Sequence, residues 1–366
     1  MSTNRKNKNH SALKSANIVF LSFLYILCTY SFSLSAQNIQ AIDWSKAANS
    51  SDINLSAEQI DTIKDKKLTA ALAWHGASPW INAVSRGAED EFKKLGVRVI
   101  AQTDAQYDPA KQVADLENIS ALEPDLVLSL SIDGISTKLS YQKILAGGAK
   151  LVLLSNPIPG FQHNKDFAGI VTDDMFGMGE DAAALVAQAS NDTGKVGIIF
   201  HDANYFITNN RDQAFRKALT RYSNIKVISE KGFVKEHETS NIAAAMLLQH
   251  PEIDTIYVSW DNAAEGVIET LRSIGRKDIK VVTHDLGVNN LLDMAMNGNL
   301  YGTISDRPYD IGKTMARIAA GAEIGIQAPE FTLVPFDSVT RENIASIWHK
   351  AFKAPLPKLL DLALKQ

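Results

Sequence analysis

The chain has 366 residues, 45% of them hydrophobic and 21% charged, with one cysteine and a formal net charge of −4. That length suits two lobes of roughly 100 to 150 residues each better than one. The few basic residues lost with the N-terminal segment described next leave the remainder more acidic still, with no basic block to neutralise a phosphate backbone and no basic helix to seek a membrane surface, so nucleic acid is excluded as a partner.

The first 36 residues contain Arg5, Lys6, Lys8 and Lys14 with no acid, then an apolar stretch from about Ile18 to Tyr30, then the small-residue run Ser31 to Ala36. A membrane anchor needs about 20 unbroken apolar residues. This shorter stretch is expected to be a secretory signal peptide over 1–36, cleaved after Ala36 or Ser35, which places the protein in the periplasm. Cys28 follows Leu27 rather than the small residue of a lipidation site, and its loss with the leader leaves no thiol or disulfide chemistry. The extension 37–66 starts polar from Gln37 to Ser51, a composition expected to be poorly ordered. It then reaches Leu55-Ser56-Ala57-Glu58-Gln59-Ile60, where Ser56 and Gln59 form a capping box and Leu55 and Ile60 a hydrophobic staple for a short helix.

From Leu68 a rhythm begins. Apolar strand-like runs start at Leu68, Val97, Leu126 and Leu151, 29, 29 and 25 residues apart, and again at Lys195, Ile225, Asp254 and Ile279, 30, 29 and 25 apart. Each interval holds an amphipathic helix, and a strand–helix–strand unit of that length is the right-handed crossover of a parallel sheet. The fold class is therefore α/β: two similar doubly wound parallel-sheet lobes with a ligand cleft between them, beyond the carboxyl ends of the strands. Ser78-Pro79 opens a helix with Ile81, Val84, Ala88 and Phe92 inward and Gly96 at its end; Asp108-Pro109 opens the next, with Val113, Leu116 and Ile119 inward. In the second half, helices are predicted at about 209–222, 240–249, 263–274 and 288–297. A strand near Leu300–Ile304, a helix from Tyr309 to Ala320 and an extended run Phe331–Pro335 are surplus to a tandem duplication, which implies that the chain crosses back between lobes.

Several local patterns, in order, carry a resemblance. They are Ser78-Pro79-Trp80, Thr172-Asp173-Asp174, Asn210-Arg211-Asp212-Gln213-Ala214-Phe215, Trp260-Asp261, Val282-Thr283-His284-Asp285 and Thr303-Ile304-Ser305-Asp306-Arg307-Pro308. Residues 68 to about 340 resemble a periplasmic solute-binding protein of the ribose-binding type, the secreted component of bacterial sugar ABC transporters. The resemblance implies a three-crossing hinge near Thr172, Asp306 and Pro329. It divides the chain into an N-terminal lobe (67–172 plus 307–329), a C-terminal lobe (173–306 plus 330–345) and a tail helix (346–366).

Trp74, Trp80 and Trp260 follow or flank strand ends, where an indole offers an apolar plate to the C–H face of a sugar or polyol, or else fills the core under a loop. Asp261, Asp285 and Asp306 also follow strand ends and either accept ligand hydroxyls or cap the next helix. Asp133 has the same placement, with capping the preferred reading. Asn156, Asn204, Asn209 and Arg211 supply hydrogen-bond donors; Asn156 (or Ser155) and Asn209 stand where the resemblance implies arginine, which puts ribose itself in doubt. The same aromatic and acidic set also suits a cationic ligand in an aromatic cage.

Catalysis is not expected. Gly177-Met178-Gly179-Glu180-Asp181-Ala182 fits a dinucleotide fingerprint but follows two aspartates that would repel a pyrophosphate, so it reads as close packing of a helix start against a strand. His75, His201 and His284 are isolated and no metal or cofactor motif occurs. The reading is a monomeric binding protein that closes on a small sugar or sugar alcohol for the membrane permease of an ABC transporter. The alternative is capture of the same kind of ligand for a membrane sensor kinase or chemoreceptor.

Overall fold

The computed structural model describes residues 44–366, apart from Asn204 and the side chain of Ser45. The leader expected over 1–36 lies outside the described residues. From Trp44 the chain makes a 3-10 turn, the two-residue strand β1 (Ala48–Asn49), a second 3-10 turn and the helix Ala57–Lys66. Its capping box is as read: the Ser56 hydroxyl accepts the Gln59 N–H at 3.2 Å and the Gln59 side chain accepts the Ser56 N–H at 2.8 Å. The stretch before it is not disordered from Trp44 onward, because β1 joins a sheet and the Trp44 ring lies 4.9 Å from Phe331, 5.5 Å from Phe176 and 6.5 Å from Phe206. A tryptophan among polar neighbours was the signal, since one large half-buried ring packed among others offsets the ordering of a short segment.

Strands β2 (Thr69–Trp74), β3 (Arg98–Asp104), β4 (Leu126–Ser129), β5 (Lys150–Leu154) and β6 (Gly169–Asp173) follow, then β7 (Lys195–His201), β8 (Lys226–Phe233), β9 (Thr255–Val258), β10 (Lys280–His284), β11 (Leu300–Ser305), β12 (Phe331–Val334) and β13 (Asp337–Val339). They form two sheets. The first, in the order β1-β12-β6-β5-β4-β2-β3, is parallel throughout. The second, β13-β11-β10-β9-β7-β8, is parallel except for β13. Central strands such as Leu126–Ser129 and Thr255–Val258 are buried at every residue, as strands covered by helices on both faces must be. Neighbours on β10 feed opposite sides: Val281 joins a core with Val267, Leu291 and Trp348, while Val282 joins Val186, Phe215 and Ile304.

The helix Pro79–Lys94 starts as read, with the Ser78 hydroxyl accepting the Ile81 N–H at 3.2 Å and with Ile81, Val84, Ala88 and Phe92 buried. In the helix Pro109–Ala121, Leu116 and Ile119 point inward but Val113 is only half-buried. Gln112 takes its place, holding the loop after β4 through Leu130 O (2.8 Å) and Ile132 N (2.9 Å). The helices predicted in the second half are Phe206–Leu219, Thr239–Gln249, Asp261–Ser273 and Val288–Ala295, the first beginning three residues earlier than predicted, and the helix Met175–Ala189 packs in the same lobe. Helix Pro79–Lys94 meets helix Pro308–Ala322 backbone to backbone. A Cβ on Gly87 would stand 2.0 Å from the Tyr309 carbonyl oxygen, and one on Gly312 would stand 1.8 Å from that of Val84. Gly179 likewise leaves room for close approach, but the partner is the Arg211 carbonyl of helix Phe206–Leu219 rather than a strand.

Three crossings join the lobes. The first follows Asp173 and the second follows Ser305, within a residue or so of expectation. The third lies at Pro335-Phe336 and not near Pro329, because Phe331–Val334 completes its backbone hydrogen bonds beside β6 in the first sheet before the chain leaves for β13. The N-terminal lobe thus holds 330–334 as well. The expected tail helix 346–366 is two helices, Ile344–Phe352 and Lys358–Ala363, whose Ile347, Trp348, Phe352 and Leu360 are part of the second-lobe core.

Candidate functional site

The carboxyl ends of the two parallel sheets face one another across the hinge, and the residues just beyond them are the candidate site, where open α/β sheets place their ligands. From the first lobe come His75 after β2, Tyr107 after β3, Asn156 after β5 and Asp173 at the end of β6. From the second come Trp260 after β9 and Asp285 after β10, with Asp306 on the crossing after β11.

Asp285 sits at φ 69°, a left-handed position that aspartate and asparagine tolerate better than most residues. The helix that follows takes no cap from any side chain, so the capping alternative fails for Asp285. Its Oδ2 lies 3.9 Å from Nη2 of the buried Arg211, and burial holds its carboxyl above the usual range against the pull of that guanidinium. Asp306 does not cap its helix either. The Trp80 indole N–H donates to both its carboxylate oxygens, at 2.8 and 3.0 Å, tying the first lobe to the crossing segment. Burial, followed by repulsion from Asp285 and Asp173, pushes Asp306 well above the ordinary carboxylate range.

Asp261 opens the helix Asp261–Ser273 and accepts only the adjacent Asn262 N–H, at 2.7 Å. Burial and then Asp285 raise it strongly. Trp260 stands half-buried beside it, edge-on to His201 (4.9 Å) and close to Phe233 (4.8 Å), its N–H donated to Glu236 at 2.5 Å. Asp133 caps no helix: it closes a turn through the Ile135 and Ser136 N–H groups, ahead of the helix that starts at Lys138 with Thr137 as its N-cap.

Arg211 is positioned by a polar network. Its Nη2 donates to Ser259 O at 2.6 Å; the Asp212 carboxylate accepts the Ser259 and Tyr257 hydroxyls, each at 2.7 Å; Tyr257 Oη lies 3.0 Å from His284 Nε2. Since the Tyr257 proton goes to Asp212, His284 donates from Nε2 and keeps Nδ1 as an acceptor. Burial holds His284 well below its usual range, and takes His75 and His201 down to about 4, so all three are neutral near pH 7.

Trp74 does not reach the cleft. It is 1% exposed in the first-lobe core beside Leu72 and Ile81, with its N–H on Ser85 at 2.9 Å. Asn156 is buried, its Nδ2 donating to Ser131 O at 2.9 Å, and Asn209 is half-buried in the first turn of Phe206–Leu219. Asn204 lies outside the described residues. Sequence reasoning missed four residues. Asp173 is 1% exposed, and burial, opposed by Arg211, lifts it to about 6. Tyr107, 52% exposed, packs edge-on to His75 at 4.9 Å and stands within electrostatic reach of Tyr205, Glu236, Asp261 and Asp285, all of the opposite lobe. Tyr205 lies beside Asn156 and Arg211, and Glu236 holds Trp260. An aromatic flanking the helix-opening Asp108-Pro109, as Trp80 flanks Ser78-Pro79, was the available signal for Tyr107.

Among the described residues no group of His, Cys, Asp and Glu is arranged to hold a metal ion, and no helix is long and apolar enough to cross a membrane. Residues 55–325 match the family described as "Periplasmic binding protein domain". The ribose import binding protein RbsB of Bacillus subtilis is 26% identical over 296 residues, spanning 80% of this chain and 90% of its own. The D-allose-binding periplasmic protein of Escherichia coli is 25% identical over 274 residues, spanning 72% and 88%. In structure, a solute-binding protein from Agrobacterium vitis bound with α-D-tagatopyranose superposes with a TM-score of 0.71 at 20% identity, covering 78% of this chain and 99% of that one. A second protein from the same organism, with bound allitol, gives 0.66 at 18%, covering 77% and 98%.

Proposed function

This chain belongs to the family of periplasmic binding protein domains, and from that premise we propose that it captures a small sugar or sugar alcohol between its lobes, in the periplasm, and delivers it to the membrane permease of an ABC transporter. The observation that carries the reading is the convergence of Trp80 and Asp306 with Trp260, Asp285 and Arg211 at the facing sheet ends. Indole faces take the C–H side of a sugar ring, ionised carboxylates accept pairs of hydroxyl hydrogens, and the guanidinium donates to ring or hydroxyl oxygens. A ligand held by one lobe completes its hydrogen bonds only when the other arrives, so binding shifts the population toward the closed form that a permease recognises. Transport is preferred to signalling because the relatives named above are import and sugar-binding proteins.

A thermal-shift screen over pentoses, hexoses, tetritols and pentitols tests it, since a ligand present at about 100 times its Kd adds about 2.7 kcal/mol of stability. The largest shift is expected from a polyhydroxylated compound. A response confined to amino acids overturns the reading.

A further inference from the structure

The polar groups of the cleft are unbalanced. Asp285 acts electrostatically on Asp173, Asp261 and Asp306, Asp173 acts on Asp306 and Glu236 on Asp261, and the cation in reach of Asp173, Asp285 and Asp306 is Arg211. That guanidinium already gives Nη2 to Ser259 O. A second observation is independent of charge. Two acceptors of the first lobe, Asp173 Oδ2 and Asn156 Oδ1, are buried in residues 1% and 6% exposed and have no hydrogen-bond partner. Asp173 faces Arg211 and Asp285, and Asn156 faces Tyr205, so both are directed at the second lobe. On the second lobe, His284 Nδ1 is a further buried acceptor without a partner and Arg211 Nε a buried donor without one, and on the first lobe the His75 Nδ1 is likewise unpartnered. Buried acceptors left without donors are costly, and a native site that keeps them is built for something that supplies donors.

A neutral hydroxyl brings one donor together with two acceptor lone pairs and leaves the carboxylate charges facing one another. An ammonium brings three donors, no acceptor and the missing charge. Resting on the sugar or polyol reading above, we propose that the ligand carries a protonated amino group among its hydroxyls, as an amino sugar or amino polyol does, with the nitrogen held among Asp173, Asp285 and Asp261 and its C–H face against the Trp260 indole. The indole face adds cation–π attraction to a nitrogen so placed.

Isothermal titration calorimetry on the leaderless chain at pH 6.5 tests this with matched sets: glucose, glucosamine and N-acetylglucosamine; galactose and galactosamine; sorbitol and 1-amino-1-deoxysorbitol. At least one amine is expected to bind tenfold or more tighter than its hydroxyl parent, with acetylation cancelling the gain. Asp261→Asn should then shrink that preference to about threefold or less while a hydroxyl parent loses less. Glu236→Gln, at a half-buried and more tolerant position, should shrink it in the same direction and serves if Asp261→Asn fails to fold. A neutral parent that binds as tightly as its amine, or that takes up a proton on binding, overturns the inference and leaves the sugar-binding reading standing. Failure of every aminated member of the panel overturns the inference, while the sugar-binding reading is decided by the wider screen above.

Discussion

Replacing Asp173 with asparagine is expected to move stability and affinity in opposite directions. Asp173 is 1% exposed, one carboxylate oxygen has no partner, and burial lifts its pKa from 3.8 to about 6. An acid with a folded pKa above its unfolded value binds more protons in the folded state, so its burden on stability is absent below the unfolded pKa, grows between about 4 and 6, and is complete above 6. At about 1.36 kcal/mol per pKa unit, the ionised carboxylate costs roughly 3 kcal/mol at pH 8 and about half that at pH 5. Asparagine keeps the volume, removes the charge and offers an N–H₂ to the neighbouring acids. The unliganded variant should therefore melt higher at pH 8, by ~6 °C at about 2 °C per kcal/mol, with the advantage fading toward pH 4. Differential scanning calorimetry across that range measures it, with parallel titration of the ligand, whose affinity should fall. A variant that melts lower than the parent at pH 8, or whose advantage does not change with pH, would refute the account of Asp173 as a carboxylate held against its own solvation.

Three further outcomes follow from the geometry. Asp285→Asn preserves a residue type suited to φ 69° but removes an ionised acceptor whose bonds are worth roughly 1.5–3 kcal/mol each; affinity by calorimetry should drop at least about tenfold with little change in the unliganded melting temperature, and wild-type affinity would take Asp285 out of the site. Trp260→Ala should weaken binding and quench the ligand-dependent change in intrinsic fluorescence while cooperative folding survives; a non-cooperative melt with unchanged affinity in the folded fraction would make Trp260 a core residue. Trp74→Ala should do the reverse, costing about 3–5 kcal/mol of stability by chemical denaturation while the folded fraction binds as before; a specific affinity loss there would return Trp74 to the cleft.

The two sheets were legible because a parallel strand covered on both faces reads as an unbroken apolar run, and the helices between them carry their caps at Ser56, Ser78 and Asp108. Less legible was the sheet to which such a run belongs. Phe331–Val334 looks the same whether it pairs with β6 or β11, and only the ladder beside Gly169–Asp173 decides it. Asp285 and Asp306 were found as acids just past strand ends. Trp74 and Trp80 share type and neighbourhood, but period two along β2 puts Ala70, Leu72 and Trp74 on one face, and all three lie in one core. That alternation was available and was outweighed by position at the strand end. Asp173 was hidden by its neighbour: of the pair Asp173-Asp174, Asp174 caps the next helix through the Gly177 N–H at 3.0 Å, which leaves Asp173 free for the cleft. No one-dimensional pattern tells the two apart. Tyr205 and Glu236 enter the site only through the approach of loops distant in sequence.

The glycine contact between helices Pro79–Lys94 and Pro308–Ala322 bears on how such a protein changes its preferences over generations. The second helix starts two residues after Asp306 and the first carries Trp80 in its opening turn. With no space for a methyl group at Gly87 or Gly312, any side chain there must push the helices apart and so alter the seating of Trp80 on Asp306. In a randomised library selected for a new ligand, these two positions would surface as specificity variants although neither touches the cargo. A change of ligand that leaves this glycine pair in place keeps the two helices at their present spacing.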